Sequence, residues 1–294
     1  MTIRMDEGAA ELLDTLHRAG YAAYVVGGCV RDSLLGLTPH DWDLCTSALP
    51  QQVMELFGAQ RCIPTGLQHG TVTVKQSGAL YEITTFRTEG TYTDGRHPDE
   101  VHFVPDVRED LARRDFTINA MAICLNKARF GELVDPFDGI GDLWEGIIRT
   151  PLDPDVTFSD DPLRMLRCVR FATQLNFFIE EETFEALSRN AERIRIISGE
   201  RIAEELCKFM ASQYPSKGFF ELQRCGLLGL IIPELTALDL VETRNGRAHK
   251  NNFHHTLEVL ENVARAEERR YEQENPEQPP FKANIWLRWA VPVR

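Results

Sequence analysis

The sequence predicts an α+β head that is followed by an all-helical remainder. Short apolar runs typical of strands are confined to the first part of the chain, whereas beyond Pro162 apolar positions recur at helical spacing in one segment after another. The 294 residues exceed the usual size of one domain, which predicts two or three domains. A change of character along the chain separates the head, residues 1–147, from the helical remainder.

Local patterns predict each element of the head in turn. Residues 6–19 carry the apolar spacing of a helix, and Tyr21–Val26 (YAAYVV) indicates a buried strand that ends at two glycines. The remaining predicted elements of the head are a helix at Val30–Leu35, a strand at Asp41–Thr46, a helix at Pro50–Phe57, a hairpin of strands at Thr71–Lys75 and Leu80–Phe86, a mobile polar loop at Thr88–Pro98 and a helix at Leu111–Ala122.

Helical periodicity dominates the rest of the chain. The predicted helices are Pro162–Thr173, Glu182–Asn190, Gly199–Met210, Lys217–Cys225 and His255–Glu268. We find no internal repeat in the sequence, so a repeat architecture is excluded.

Composition limits the classes of protein that fit. The sequence lacks both an apolar signal core and an apolar run of the roughly 18–20 residues that span a bilayer, so we expect a cytoplasmic protein without a membrane partner. Its seven scattered cysteines form no CxxC pair, which argues against a zinc site or a disulfide framework. A net charge of −13 disfavours sequence-blind RNA coating, although an acidic chain can still present a local basic groove.

The segment GGCVRD at Gly27–Asp32 lies between a predicted strand and a predicted helix. Glycines there let backbone N–H groups approach a phosphate closely, and the start of the helix adds positive potential. We therefore take Gly27 and Gly28 as candidate phosphate-binding residues. The alternative is an ordinary strand-to-helix turn.

The segment DWD places two carboxylates, Asp41 and Asp43, two residues apart on a predicted strand. Such residues point to the same face, so the pair repels and calls for a cation, and hard carboxylate oxygens suit Mg²⁺. Two such ions can activate a hydroxyl nucleophile and stabilise the leaving group. Trp42 would point the other way into the core, and Glu82 on a later strand is a tentative third carboxylate. The alternative is a solvated turn.

A third segment, EDLARRDFTINAMA at Glu109–Ala122, combines two arginines with two polar side chains. Arg113 and Arg114 match phosphate oxygens with their guanidinium forks. Asp115 and Asn119 are spaced to share one helix face, where they can hold a ribose or a backbone turn. The alternative is a capped amphipathic helix with solvated arginines.

A fourth segment, DDPLRMLRCVRF at Asp160–Phe171, repeats charged residues every three positions. The repeating residues are Asp161, Arg164, Arg167 and Arg170. On a helix, Asp161 and Arg164 would present an acceptor beside a donor, which matches the Watson–Crick edge of cytosine or adenine and rejects uracil and guanine. The alternative is an intrahelical salt bridge on a solvated face.

Together these segments resemble the family of class II tRNA nucleotidyltransferases and bacterial poly(A) polymerases. The resemblance runs from about Tyr21 to His255 and includes DPFDGIGDL at Asp135–Leu143 and ISGERIAEEL at Ile197–Leu206. It implies a polymerase-beta-like nucleotidyltransferase head at 1–147, then a helical neck at 148–215 that selects the nucleotide and a helical body at 216–294 that holds the tRNA. The expected reaction is template-independent addition of C and/or A (CCA addition) to tRNA 3′ ends.

The resemblance also implies roles for individual residues. Asp41 and Asp43 would bind two Mg²⁺ ions. The residues that would bind the incoming CTP or ATP are Gly28, Arg31 and Arg114 for its phosphates and sugar, Asp161 and Arg164 for its base, and Arg167 and Arg170 in support. Within the family, the segment Pro64–Val74 favours the tRNA-adding branch over the poly(A) polymerases, and the loop at Thr88–Pro98 favours an enzyme that adds CCA or A over one that adds only CC.

Several alternatives stay open at this point: a poly(A) polymerase, an enzyme that adds only A, and an inactive RNA-binding protein on the same fold. The segment Arg247–Leu260 resembles the start of an HD-type helical region, but the helical part of the sequence has no His-Asp pair, which leaves phosphohydrolase activity unsupported. We therefore expect a truncated or naturally lost region, with His249, His254 and His255 as packing or surface residues. The sequence does not fix the oligomeric state.

Overall fold

The computed structural model describes residues 6–90, 100–125, 129–239, 251–274 and 281–291, and the backbone of 243–244 and 247–248. Most of the predicted loop at Thr88–Pro98 and the residue His249 therefore lie outside the described residues. The chain divides into two units, Met1–Glu145 with Arg149–Asp153 and Gly146–Ile148 with Pro154–Arg294. They are called the head unit and the helical unit below.

The head unit combines short helices with strands. In chain order its elements are α1 Glu7–Arg18, β1 Ala23–Val26, α2 Gly28–Leu34, β2 Asp43–Thr46, α3 Pro50–Phe57, β3 Cys62–Gly66, a 3₁₀ turn Leu67–His69, β4 Thr71–Gln76, β5 Ala79–Thr85, β6 Arg87–Glu89, β7 Val101–Phe103, α4 Val107–Ala112, a 3₁₀ turn Thr117–Asn119, β8 Ala122–Cys124, β9 Glu132–Val134 and α5 Gly139–Glu145.

A seven-stranded sheet in the order β3-β4-β5-β2-β1-β8-β9 forms the centre of the head unit. Strands β2 and β5 pair parallel, and the other neighbouring strands pair antiparallel. Strand β1 is buried along its whole length, as its apolar sequence requires. Its last residue, Val26, pairs with Asp43, the first residue of β2, so the glycine turn that follows Val26 lies beside the DWD segment.

The helical unit carries only short strands. Its elements are β10 Ile147–Ile148, α6 Pro154–Asp160, α7 Leu163–Gln174, β11 Phe178–Ile179, α8 Glu181–Asn190, a 3₁₀ turn Ala191–Ile196, α9 Gly199–Met210, α10 Pro215–Arg224, α11 Leu227–Ile231, α12 Pro233–Thr236, β12 Thr243–Arg244, β13 Arg247–Ala248, α13 Asn252–Glu274 and α14 Ile285–Trp289. Among its core side chains is Arg288, which is 1% exposed and donates to the carbonyls of Met210 and Ser212 and to the Glu267 carboxylate.

The predicted fold class, an α+β head followed by helices, is confirmed. Helices α3 and α9 have the predicted bounds, and β4 and β5 form the predicted hairpin around Ser77 and Gly78. The hairpin turn has positive φ at both residues, which suits the right-handed twist of the two strands.

The predicted helix at Leu111–Ala122 is wrong. Helix α4 ends at Ala112, and the following residues form a 3₁₀ turn and strand β8, which pairs with β1. Phe116, Ile118 and the residues of β8 are at most 1% exposed, so this stretch is buried on every side and the sheet takes it up in place of a helix.

Two smaller predictions also need correction. Strand β2 begins at Asp43, so Asp41 and Trp42 precede the strand, and Trp42 is half-buried instead of packed in the core. The predicted loop at Thr88–Pro98 begins inside strand β6, which pairs with β7. Within the described residues, none of the helices is long and apolar enough to span a membrane.

Helix α5 packs closely on the 3₁₀ turn Thr117–Asn119. The Asp135 carboxylate accepts the N–H groups of Gly139 and Ile140 at the start of α5, and the Thr117 hydroxyl donates to Asp142 at 2.6 Å. A Cβ at Gly139 would lie 2.2 Å from the Thr117 carbonyl oxygen, closer than real Cβ atoms come. Glycine at this position therefore lets α5 support the turn that carries Asn119.

We predict that Gly139→Ala lowers the free energy of unfolding by about 3 kcal/mol, because the added methyl group meets backbone that cannot move aside cheaply. Thermal and urea unfolding measure the change. Gly199→Ala is the matched control, since in the described structure a Cβ at Gly199 meets nothing within 4 Å. Equal stability of the Gly139→Ala variant and the wild type would contradict the close packing.

Candidate functional site

The glycine turn between β1 and α2 has a conformation that favours glycine. Gly27 has φ 81° and ψ −134°, and Gly28 is the first residue of α2. A Cβ at Gly27 would lie 3.3 Å from Nη1 of Arg114, so the turn and this guanidinium are in near contact. The N–H of Gly27 donates to the carbonyl of Met121 at 3.3 Å, so the Arg114 guanidinium and the backbone of Gly28 are the donors that the turn offers to a phosphate beside the DWD segment.

A chain of hydrogen bonds connects α2 to the 3₁₀ turn Thr117–Asn119. Arg31 donates from Nη1 to Oδ1 of Asn119 at 2.8 Å, and Nδ2 of Asn119 donates to Oδ1 of Asp115 at 3.1 Å. Arg31 also binds the neighbouring carboxylate of Asp32 at 2.7 Å. Asp115 and Asn119 do meet, as the sequence predicts, but through a turn and not along a helix face.

The three carboxylates predicted from the DWD segment and β5 influence one another. Loss of hydration raises the pKa of Asp43, with Asp41 raising it further and Arg114 opposing both. Loss of hydration also raises the pKa of Glu82, and Asp43 and Asp41 add to it. Glu82 precedes Ile83, whose partner Leu44 follows Asp43, so Glu82 lies at the same sheet edge.

This donor set fits a hard divalent cation. It consists of carboxylate oxygens, the ligands that Mg²⁺ prefers. A cation would offset both the lost hydration and the mutual repulsion that raise the pKa values of Asp43 and Glu82. In the part of the chain that the structure describes, no three histidine, cysteine or acidic side chains are grouped closely enough to hold a metal ion by themselves. Asp41 and Asp43 are the residues that would hold it.

The two arginines of the third segment point in different directions. Arg114 reaches the glycine turn and binds Oδ2 of Asp110 at 3.2 Å, and among the described residues its buried Nε has no hydrogen-bond partner. Arg113 binds Glu89 at 2.7 Å and Asp110 at 2.8 Å. The structure therefore brings Arg114, but not Arg113, to the glycine turn.

Asp161 of the helical unit precedes α7 instead of lying on it. Its Oδ1 accepts the N–H of Leu163 at 3.1 Å, and its backbone carbonyl accepts the N–H of Arg164 at 2.9 Å. Nη2 of Arg201 on α9 lies 3.3 Å from Oδ2 of Asp161. Sequence reasoning missed Arg201 as a partner, although the residue lies in the ISGERIAEEL segment that carries the family resemblance.

The other arginines of the fourth segment differ in burial. Arg164 and Arg167 on α7 are half-buried, whereas Arg170 is 8% exposed. Arg170 binds Glu205 at 2.5 Å and Gln174 at 2.8 Å and stacks 4.0 Å above the Phe171 ring. These contacts hold Arg170 within the packing of α7 and α9.

A glycine turn with an adjoining arginine, set beside carboxylates at the edge of a mixed sheet, defines a nucleotidyltransferase-type head. Residues 23–149 match the model of the poly A polymerase head domain, and residues 176–238 match that of a probable RNA and SrmB-binding site of polymerase A. The chain belongs to the family of class II tRNA nucleotidyltransferases and poly(A) polymerases.

Relatives and solved structures agree with this assignment. The chain is 48% identical over 221 residues to the CCA-adding enzyme of Levilactobacillus brevis, a match covering 75% of this chain and 54% of that protein. It resembles the Bacillus stearothermophilus CCA-adding enzyme in complex with CTP, with a TM-score of 0.68, 39% identity and coverage of 76% and 53% of the two chains. For the Thermotoga maritima CCA-adding enzyme complexed with tRNA the TM-score is 0.70, the identity 26% and the coverage 99% and 64%. The chain spans about half the length of the curated relatives it matches.

We predict that Asn119→Ala lowers the free energy of unfolding by about 3 kcal/mol, because two hydrogen bonds to charged partners are lost in a buried place. Chemical denaturation monitored by fluorescence measures the loss. Asn262→Ala, an equal change at an exposed position of α13, serves as control. A loss no larger than that of the control would show that Asn119 does not connect Arg31 to Asp115.

Proposed function

We propose that this chain adds C and/or A to the 3′ ends of tRNA, with CTP and ATP as nucleotide donors. One observation carries the proposal: Asp43 lies beside the glycine turn and interacts with Arg114 and Asp41, in a chain 48% identical to a CCA-adding enzyme over 221 residues. Action on tRNA fits a cytoplasmic protein. Residues 1–147 would carry the chemistry, 148–215 would select the nucleotide, and 216–294 would belong to a body that holds the RNA.

In the head unit, each group has a separate task. The backbone of Gly28 and the guanidinium of Arg114 would bind the triphosphate, and Gly27 would provide the turn that lets a phosphate approach them. Arg31, held by Asn119, would bind near the sugar or a phosphate. Asp41 and Asp43 would hold Mg²⁺, for which two ions are expected, with Glu82 at the same edge. When bound, Mg²⁺ supplies activation of the RNA 3′-hydroxyl and neutralisation of the charge that develops on pyrophosphate.

In the helical unit, Asp161 and Arg164 would select the base. A carboxylate accepts from the amino group of cytosine or adenine, and a guanidinium donates to the adjacent ring nitrogen. Uracil and guanine present the opposite pattern, so they leave both protein groups unpaired. Arg201 holds the Asp161 carboxylate and would reduce its freedom to turn toward another base. Arg167 and Arg170 would support the nucleotide, Arg170 from within the packing of α7 and α9.

The decisive experiment uses three tRNA transcripts, ending before CCA, after C and after CC. CTP and ATP are offered separately and together with Mg²⁺, and the products are sequenced. We expect complete CCA on the first transcript. Addition of one A to the CC-ended transcript alone would indicate an A-adding enzyme. Long A tails on unrelated RNA would indicate a poly(A) polymerase, and no addition to any RNA would indicate an inactive RNA-binding protein.

We predict that Asp41→Ala lowers the rate of nucleotide addition by more than about a thousandfold while the fold is kept, because catalytic groups that act as a unit lose most activity when one is removed. Single-turnover extension of the CC-ended transcript with ATP measures the rate, and circular dichroism checks the fold. Asp14→Ala removes an exposed carboxylate of α1 and serves as control. Retained activity in the Asp41 variant would refute the metal assignment.

We predict that Arg164→Ala reduces the preference for CTP and ATP over UTP and GTP by about ten- to a hundredfold, since a side chain that reads a base edge by hydrogen bonds contributes about 1–3 kcal/mol of discrimination. The rate with the correct nucleotide should fall less. Competition between the four nucleotides measures the preference, and Arg195→Ala, at an exposed arginine of the same unit, is the control. An unchanged preference would exclude selection by this side chain.

A further inference from the structure

Asp110 is a fully buried acid directly behind the candidate phosphate site. It lies in α4, and its Oδ1 accepts from Nε and Nη2 of Arg113 at 3.1 and 2.8 Å. Its Oδ2 accepts from Nη2 of Arg114 at 3.2 Å. Burial by itself raises the pKa of Asp110, but Arg113 and Arg114 outweigh it and hold the pKa below its usual value. An ionised carboxylate in this place fixes both guanidinium groups.

Glu89 provides a second buried anchor, on strand β6. Its side chain is 5% exposed and accepts from Nη1 of Arg113 at 2.7 Å and from Nη2 of Arg87 at 2.8 Å. The backbone N–H of Arg87 in turn donates to Oδ1 of Asp110 at 3.3 Å. Arg113 therefore connects α4 to the ladder of β6 and β7.

These contacts form a continuous path to the glycine turn. It runs from Glu89 through Arg113 and Asp110 to Arg114, whose Nη1 would lie 3.3 Å from a Cβ at Gly27. Arg114 also lowers the pKa of Asp43, so its charge is felt at the DWD segment. The contact with Asp110 therefore holds the long Arg114 side chain in one orientation, toward the glycine turn.

We propose that Glu89 and Asp110 are positioning residues that hold Arg114 in the orientation that binds nucleotide phosphate, with Arg113 as the link between them. The proposal rests on the proposed function in taking a nucleoside triphosphate as the ligand of Arg114. It gives Arg113 a supporting role instead of the direct triphosphate contact expected from the sequence.

The sign of the effect separates positioning from simple electrostatics. Removal of a negative charge near a phosphate site makes the local potential more positive, which by itself strengthens phosphate binding. Loss of the Glu89 contact makes Arg113 mobile, and Arg113 then no longer fixes the Asp110 carboxylate. Arg114 can therefore adopt more conformations, and phosphate binding must restrict them again at a cost in affinity. The two explanations therefore predict opposite changes in nucleotide affinity.

The test uses the full chain with the isosteric variant Glu89→Gln. We expect KM for CTP and for ATP to rise about tenfold, equivalent to about 1.4 kcal/mol, with kcat within about twofold of the wild type. The control is Glu132→Gln, the same change at an exposed ion pair of the head unit, with no expected effect. An unchanged or lowered KM in the Glu89 variant overturns the proposal.

A double-mutant cycle with Arg113→Gln tests the route. If Glu89 acts through Arg113, the double variant has the KM of Arg113→Gln alone, whereas multiplied effects overturn the proposal. CTP binding measured by calorimetry without RNA makes the test independent of transfer. If the wild type binds CTP but transfers no nucleotide, only the proposed function is contradicted. If the wild type transfers nucleotide and Glu89→Gln leaves its CTP affinity unchanged, only the positioning role is contradicted. A wild type that does not bind CTP overturns both.

Discussion

The pairing of Val26 with Asp43 is the constraint on which the candidate site depends. It fixes the end of β1 beside the start of β2, so that the turn at Gly27 and the carboxylate of Asp43 share one edge of the sheet. Strand β1 is buried on both faces and pairs with β2 on one side and β8 on the other, and these two ladders hold it in this register. Strand β5 joins the same edge through its parallel pairing with β2, which brings Glu82 within electrostatic reach of both aspartates.

A phosphate site beside this edge also requires arginine side chains that are fixed in position and keep part of their positive charge available. Arg87, Arg113 and Arg114 contact the buried carboxylates of Glu89 and Asp110, so within this group of five side chains three positive charges meet two negative ones. Buried ion pairs seldom stabilise a fold by much, because desolvation offsets their attraction. Their value lies in orientation, since a guanidinium that is already placed loses less entropy when phosphate binds.

Sequence reasoning found what short-range patterns encode and missed what long-range contacts decide. Periodicity and proline placement gave the bounds of α3 and α9, and motif order brought out Asp41, Asp43 and Arg114. The stretch from Leu111 to Ala122 looks helical in sequence, but it is drawn into the sheet by pairing with β1. Arg201 and Glu89 escaped notice because their partners lie far along the chain, where no local spacing reveals them. Asp110 is different, since it precedes Arg113 and Arg114 by three and four residues, and only its burial, which the sequence does not show, marks it as their anchor.

The net charge of −13, which at first argues against an RNA substrate, loses its force at this local scale. Acidic side chains that pair with arginines of the same chain, such as Glu205 with Arg170, contribute little to the field that a distant phosphate meets. Salt also screens exposed charges more than about 10 Å apart, so a binding site responds to the residues within that distance. Around the glycine turn those residues include Arg114, and at the adjoining edge they are Asp43 and Asp41, the carboxylates proposed to hold Mg²⁺. A protein with negative net charge can therefore contain a site whose local potential attracts a nucleoside triphosphate. Its acidic residues elsewhere on the surface then have little effect at that site.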